Sequence, residues 1–342
     1  IAIEPTCMQY AQQALARRFV ELLEGDDILS SLIGFTDQIP NREMAREGSL
    51  TGDLATLDLS EASDRVSNSL VEALLLWHPD LSGAVQACRS TTADVPGYGV
   101  IPLAKFASMG SALCFPMEAM VFLTIIIQAI AEASNTPVTR QFVAGLKGRV
   151  RVYGDDIIVP VEFAPMVVRS LEAHGLKVNH RKSFWTGSFR ESCGGDYYDG
   201  HWVTPVRVRS KFPSTIKHVE ELQGTTALRN QLHELGLRRS VQWLDHRLGR
   251  ILPVFPVVPA NTAALGRISW SPATAERHCT RLQRPLVKAC VVKYTIPPSW
   301  LDGRGALLKF FLARGIEPLS EDSFRRAGRP VSARITTQWV PI

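Results

Sequence analysis

The sequence predicts an α+β protein, a core of antiparallel strands and packed helices followed by a helical appendage. Three observations carry this. Apolar residues recur at helical spacing over 8–24, 66–77 and 115–133. Strand-like runs stand at 54–60 and 149–161, the second folded about Gly154-Asp155-Asp156. Beyond Lys211 the pattern becomes one of leucines laced with arginines.

In chain order, MQYAQQALARRFVELLE (8–24) is an amphipathic helix, and 25–52, with its DD, NR and glycines, reads as loop. LATLDLS (54–60) is a half-buried strand, and Ser60 is placed to cap the helix that follows. In that helix Val66, Leu70, Ala73, Leu74 and Trp77 share a face that ends at His78-Pro79. The turn-rich stretch 91–103 is a loop or small hairpin, and SMGSALCF opens the apolar helix of 115–133. RVRVYGDDIIVPV (149–161) is a hairpin, and a helix over 163–173 stops at Gly175. Asp199-Gly200 is a favoured two-residue hairpin turn within DYYDGHWV. Leu228, Leu232, Leu235, Val241, Leu244 and Leu248 predict one or two helices carrying Arg229, Arg238, Arg239, Arg247 and Arg250. The Pro-rich LPVFPVVPAN and a mixed basic region follow.

A hydrophobic content of 45% and a charged content of 21% belong to a globular chain and exclude wholesale disorder. Cysteines at 7, 88, 114, 193, 279 and 290 form no C-x-x-C pair, so neither a zinc ribbon nor a disulfide framework is expected, and a reducing cytosol suits them. The opening IAIEPTCMQY has no signal-peptide character, and its lack of an initiating methionine reads as N-terminal truncation. The uninterrupted apolar run 119–127 is far shorter than the roughly 20 residues of a membrane span and is expected to be a buried helix. The net charge of +5 hides a division: residues 201–342 hold 22 Lys+Arg against 9 Asp+Glu, leaving 16 against 24 in residues 1–200. A basic half beside an acidic one suits a polyanionic partner next to a cation-loving centre, and equally a solvated basic surface.

Three acids lie at the ends of predicted strands: Asp58, Asp155 and Asp156. A lone Asp-Asp at a turn is usually a turn former. Here apolar strands flank it, and pairing with the strand of Asp58 would bring three carboxylates to one sheet edge. Carboxylates that close repel unless a divalent cation neutralises them, and Mg2+ takes hard oxygen ligands plus substrate phosphates. Two such ions can activate a 3′-hydroxyl and stabilise a pyrophosphate leaving group, the chemistry of nucleotidyl transfer.

Asp58 with Asp64 resembles polymerase motif A, SMG at 108–110 resembles motif B, and Tyr153-Gly154-Asp155-Asp156 resembles motif C. LDLSEASD, FASMGSALCFPMEAMVF, VYGDDIIVP and FRESCGGDYYDGHWVTP are similar to the replicase catalytic subunit of positive-strand RNA bacteriophages, the levivirus-like RNA-directed RNA polymerases. The matches run in family order from residue 1 to about 209. The resemblance implies a right-hand polymerase: 1–52 a C-terminal remnant of the fingers, 53–210 the palm with motifs A to E (79–107 a fingers-type insertion), and 211–342 a mainly helical thumb with a basic C-terminal region. The family's basic fingers residues would then lie upstream of the AIEP-like opening.

The same resemblance implies roles. Asp58, Asp155 and Asp156 would hold two Mg2+ ions, with Mn2+ as a substitute, Asp155 bridging and Asp156 binding more weakly. Asp64 would recognise the ribose 2′-hydroxyl, or act as a helix-start acid. Ser108, Met109 and Gly110 would contact template and incoming base. Family versions often carry Asn-Gly after SMG, whereas this chain has Ser111-Ala112, so no amide is available there for the ribose. Glu118 is either a buried hydrogen-bonding group or a template contact. Of Lys177, Arg181 and Lys182 near motif D, Lys182 is the choice for the general acid that protonates pyrophosphate. Arg190-Glu191-Ser192-Cys193-Gly194 matches motif E, giving Cys193 a structural role. Implied partners are the RNA template and product, NTPs, host elongation factors Tu and Ts and a small-subunit ribosomal protein, in the cytoplasm of the bacterial host with no membrane. The competing readings are a reverse transcriptase-like polymerase, which Asp64 and GDD oppose, and an inactive polymerase-derived RNA-binding protein, which the intact acids oppose.

Overall fold

The computed structural model describes residues 2–295, 304–305, 307–308 and 332–342. The mixed basic region expected after the Pro-rich connector lies partly outside them. The chain forms two compact units, Ile1–Thr204 and Pro205–Ile342. The class is α+β, with helices packed on antiparallel sheets.

The first unit opens with the predicted amphipathic helix, α1 (Thr6–Gly25), then a single turn, α2 (Leu29–Leu32). The segment read as loop then forms a helix, α3 (Ile39–Thr51). Its buried face consists of Asn41, Ala45, Gly48 and Ser49, so no apolar stripe marked it. A Cβ on Gly48 would stand 2.8 Å from Leu54 Cβ, so the glycine lets the helix lie close on β1 (Leu54–Leu57). That strand is fully rather than half buried, because α3 and the main core cover opposite faces of it.

The single helix expected over 66–77 is instead α4 (Ala62–Arg65) and α5 (Asn68–Leu74), followed by α6 (Pro79–Ala87). Ser67, not Ser60, is the cap: its hydroxyl accepts from the Leu70 N–H at 3.3 Å. Trp77 lies beyond the helix and is exposed. Residues 91–103 form a hairpin of β2 (Thr92–Val95) and β3 (Gly99–Pro102). The apolar helix is α7 (Cys114–Ala133), and it is the centre of the unit. It is long and apolar enough by composition to cross a membrane, yet Met117, Phe122, Ile126 and Ile130 are completely enclosed by the core. Each such side chain contributes about 1.5–3 kcal/mol of burial.

After α8 (Arg140–Ala144), β4 (Arg151–Tyr153) and β5 (Asp156–Pro160) form the predicted hairpin, and β1 joins it in the order β1-β5-β4. The register pairs Thr56 with Ile158 and Tyr153 with Asp156. Alternation then sends Ala55, Leu57, Ile157 and Val159 into the main core, and Leu54 and Ile158 toward α3. Buried Arg151 ties the sheet to its neighbours, donating to Asn41 Oδ1 at 2.9 Å and to the carbonyls of Ser30 and Ser31 at 3.0 Å. α9 (Ala164–Ala173) ends as expected at Gly175, whose N–H reaches the Glu172 carbonyl while Leu176 N–H reaches Leu171. β6 (Phe189–Ser192), β7 (Gly195–Tyr198) and β8 (His201–Trp202) complete the unit. Asp199 and Gly200, at φ 51° and 75°, form the predicted turn between β7 and β8.

Among its described residues the second unit is not mainly helical, in contrast to the expectation for 211–342. Helices α10 (Val219–Glu234) and α11 (Arg238–Ile251) are present. So is an antiparallel sheet of β9 (Ala264–Leu265), β10 (Arg277–Cys279), β11 (Arg284–Thr295) and β12 (Ser332–Pro341). Its long ladder pairs Val287 with Val340, residues far apart in sequence, so no local pattern announced it.

Candidate functional site

The edge of the β1-β5-β4 sheet carries the three aspartates. Asp58 leaves the end of β1, Asp155 occupies the β4–β5 turn, and Asp156 begins β5. The turn is Gly154-Asp155, with Gly154 at φ 58°. A Cβ on Gly154 would meet Phe115 Cε2 at 2.4 Å, so the turn lies flat against the first turn of α7. Phe115 also packs edge-on against Tyr153 at 5.5 Å and Phe35 at 5.9 Å, and Tyr153 Oη donates to the Phe35 carbonyl at 3.0 Å. This cluster locks the Gly-Asp-Asp turn to the helix that follows the SMG loop.

The free edge of β1 is covered by the segment 177–184. Phe184 and Thr56 exchange backbone hydrogen bonds, and Asn179 N–H donates to the Asp58 carbonyl at 2.8 Å. The Asn179 side chain donates to Asp58 Oδ2 at 2.9 Å, and Ser183 Oγ accepts from the Asp58 N–H at 3.1 Å. Burial pushes the Asp58 carboxyl above the ordinary carboxylate range, against the Asn179 bond and the Lys182 charge and with repulsion from Asp156. Asp155 is solvent-accessible at the turn tip, yet the walls around it desolvate it. That burial raises it first, and repulsion from Asp156 and Asp58 adds to the effect. Lys182 lowers both Asp58 and Asp155, whereas Lys177 and Arg181, exposed as Lys182 is, figure in neither shift.

Asp156 turns the other way. Its Oδ1 accepts from the Cys193 N–H at 3.0 Å and from Ser192 Oγ at 3.2 Å, which ties the β5 edge to the β6–β7 hairpin. Cys193 sits in the turn at φ 49° with its thiol pushed up to about 12, chiefly by burial, so it is no nucleophile. Arg190, 1% exposed, donates to the carbonyls of Leu54, Gly187 and Phe189 and anchors the hairpin to β1. The three aspartates therefore share one sheet edge and feel one another's charge. Among the described residues, however, no three His, Cys, Asp or Glu side chains stand close enough to form a ready metal shell. The donors are hard carboxylate oxygens of the kind divalent cations take, and such a cation would offset the burial that chiefly raises Asp58 and Asp155 and the repulsion that adds to it.

A cavity of about 590 Å3 opens beside this edge. Asp64, Met109, Gly110, Cys114, Glu118 and Asp155 are among its walls, so the acids of three separate sequence segments meet the SMG loop there. Asp64, in α4, is half exposed and paired with Lys105 Nζ at 2.5 Å. Ser108 is buried behind the loop, its carbonyl accepting from the Ser111 N–H at 3.0 Å, and does not line the cavity. Neither do Asp58 and Asp156. Gly110, at φ 128°, lies under Ala2, whose carbonyl oxygen would be 2.1 Å from any Cβ there.

Three further residues shape the site: Gln12, Asn179 and Glu118. Gln12, 1% exposed, accepts from Ser111 Oγ and Ala112 N–H at 3.1 Å each and donates to the Cys88 carbonyl at 2.7 Å. It straps the SMG loop to α1, and its polarity on a helix face gave no hint of burial. Asn179 was legible only as a neighbour of Lys182. Glu118, 8% exposed, accepts from the Cys114 thiol at 4.0 Å, and burial with repulsion from Asp155 raises it to about 8.

Comparison with known proteins shows the family. A family model described as RNA replicase, beta-chain, matches residues 1–223. The RNA-directed RNA polymerase beta chain of Enterobacteria phage fr is 39% identical over 177 residues, 52% of this chain and 30% of that one. The corresponding chain of Escherichia phage MS2 is 37% identical over 205 residues (60% and 34%), and the beta subunit of Escherichia virus Qbeta 36% over 182 (53% and 29%). The chain thus spans about a third of the length of the curated relatives it matches. A telomerase structure from Candida albicans aligns at a TM-score of 0.47 and 12% identity over 70% of this chain and 47% of that one, too loosely to bear on the argument. With 223 of its 342 residues matched, this chain belongs to the RNA replicase beta-chain family.

Proposed function

We propose that this chain carries the catalytic palm of an RNA-directed RNA polymerase that copies a viral RNA genome from NTPs. The observation that carries the reading is the meeting of Asp64, the Met109-Gly110 loop and Asp155 around one cavity in a chain of the replicase family. In this reading 1–52 belongs to the fingers, 53–210 is the palm with 79–107 inserted from the fingers, and 211–342 is the thumb.

Asp58 and Asp155 are the principal metal ligands, joined by Asp156 from the hairpin side. Two Mg2+ ions, for which Mn2+ can substitute, would supply activation of the 3′-hydroxyl and charge neutralisation at the leaving pyrophosphate. Asn179 keeps the Asp58 carboxylate oriented, and Lys182 stands within electrostatic reach of Asp58 and Asp155 as the proton donor to pyrophosphate. Asp64 and the SMG loop select the ribonucleotide and hold the template base. The expected partners are RNA, NTPs and, in the bacterial cytoplasm, elongation factors Tu and Ts and a small-subunit ribosomal protein.

The test is Mg2+-dependent extension on an RNA template by the full-length chain, comparing NTPs with dNTPs and using Asp155→Asn as control. The reading requires NTP preference and loss of incorporation in the variant. Preferential dNTP use, or equal incorporation by Asp155→Asn, overturns it.

A further inference from the structure

In the second unit, α11 presents two faces. Val241, Leu244 and Leu248 are buried. Arg239, Trp243, Arg247 and Arg250 recur at helical spacing on the outer side and are all exposed. The Arg247 guanidinium lies over the Trp243 ring at 5.0 Å and the Phe212 ring at 5.8 Å, and the two rings meet edge to face at 5.3 Å. Trp243 keeps 48% of its surface exposed and Phe212 40%, a large aromatic area left in water beside a helix of arginines. An apolar cleft of about 410 Å3 opens beside the rings, walled by Val208, Leu228, Leu232 and Trp243 and edged by Arg239.

Charge decides what fits. The one acid of α11, Asp245, is already engaged by Arg229, at 2.7 and 3.0 Å. Among the described residues, Arg239, Arg247 and Arg250 form no ion pair. The unit as a whole holds 22 Lys+Arg against 9 Asp+Glu. An apolar protein segment would satisfy the cleft but leave this row of cations unmatched. An unpaired nucleotide satisfies both, with its base on the aromatic and guanidinium faces and its phosphates along the arginines.

We propose that the Phe212–Trp243–Arg247 cluster and its cleft are a binding site for single-stranded RNA that seats at least one unstacked base. The proposal shares with the catalytic reading only the premise that RNA is the partner, and its residues all belong to the second unit.

The experiment uses the full chain and a single-stranded RNA oligomer containing 4-thiouridine, photo-crosslinked and mapped by peptide mass. Oligomer affinity is measured alongside by fluorescence anisotropy for Trp243→Leu and Arg247→Gln, with far-UV circular dichroism and thermal melts as folding controls. Expected are crosslinks within 239–250 or at Phe212, and Kd raised about fivefold to a hundredfold in Trp243→Leu. Duplex RNA of the same sequence should compete poorly. Arg247 is exposed, so Arg247→Gln keeps the test sound should Trp243→Leu unfold. Crosslinks confined to residues 2–204, with unchanged affinity in both variants, overturn the proposal. So does displacement of an apolar dye from the cleft by a hydrophobic peptide but not by the oligomer. Failure here leaves extension and its loss in Asp155→Asn untouched. Absent extension with Trp243-dependent RNA binding would overturn the catalytic reading alone.

Discussion

Asn179 grips Asp58 twice: its side-chain amide donates to Oδ2 at 2.9 Å, and its backbone N–H donates to the Asp58 carbonyl at 2.8 Å. The second bond survives any substitution except proline, so the side chain can be tested alone. Removing a group that orients a metal-binding carboxylate typically costs 10–100-fold in metal affinity or activity. Asn179→Ala should therefore raise the Mg2+ concentration for half-maximal extension by about tenfold or more, with the fold preserved. An unchanged Mg2+ midpoint would remove Asn179 from the site.

Gln12 is the strap of the SMG loop. Gln12→Leu leaves the Ala112 N–H and the Cys88 carbonyl without their buried partner, at a cost of about 1–3 kcal/mol for each group. Because the released loop lines the cavity, the KM for NTP should rise more than kcat falls. Equal changes in both, tracking the loss of stability, would make Gln12 merely structural.

Glu118 predicts a slope of stability with pH. Its folded value of about 8 lies above the ordinary 4.5, so the folded state holds its proton longer than the unfolded chain does. The stabilisation is complete below about 4.5 and is lost progressively as pH rises to about 8, at roughly 1.4 kcal/mol per pH unit before relaxation. Urea melts in EDTA at pH 5 and pH 8 should show a steeper loss for the wild type than for Glu118→Gln. Parallel slopes would show that Glu118 titrates normally.

Gly154→Ala meets two obstacles, a φ of 58° and the Phe115 ring 2.4 Å from the new Cβ. Together they should cost about 2–5 kcal/mol. Adding Phe115→Leu should recover the steric share and leave the backbone share. A double variant no more stable than Gly154→Ala would show that Phe115 does not press on the turn.

By itself the sequence determined the elements whose information is local. The apolar stripe of α1, the alternation around Gly154-Asp155, the Asp199-Gly200 turn and the Gly175 helix stop all depend on neighbours within a few residues. Their motifs also sufficed to identify the replicase family. Tertiary structure decided the rest, because it depends on what faces what. α3 is a helix whose buried side is small and polar, legible only once Leu54 and Arg151 are packed against it. The β11–β12 ladder joins residues far apart in sequence. At the site, the spacing of three aspartates could not show that Asp156 is drawn toward Cys193 while Asp58 is held by Asn179. Nor could it show that Asp155 faces Asp64 and Glu118 across the cavity. Those assignments follow from which side of a twisted sheet each carboxylate leaves, and from the buried donors that wait there.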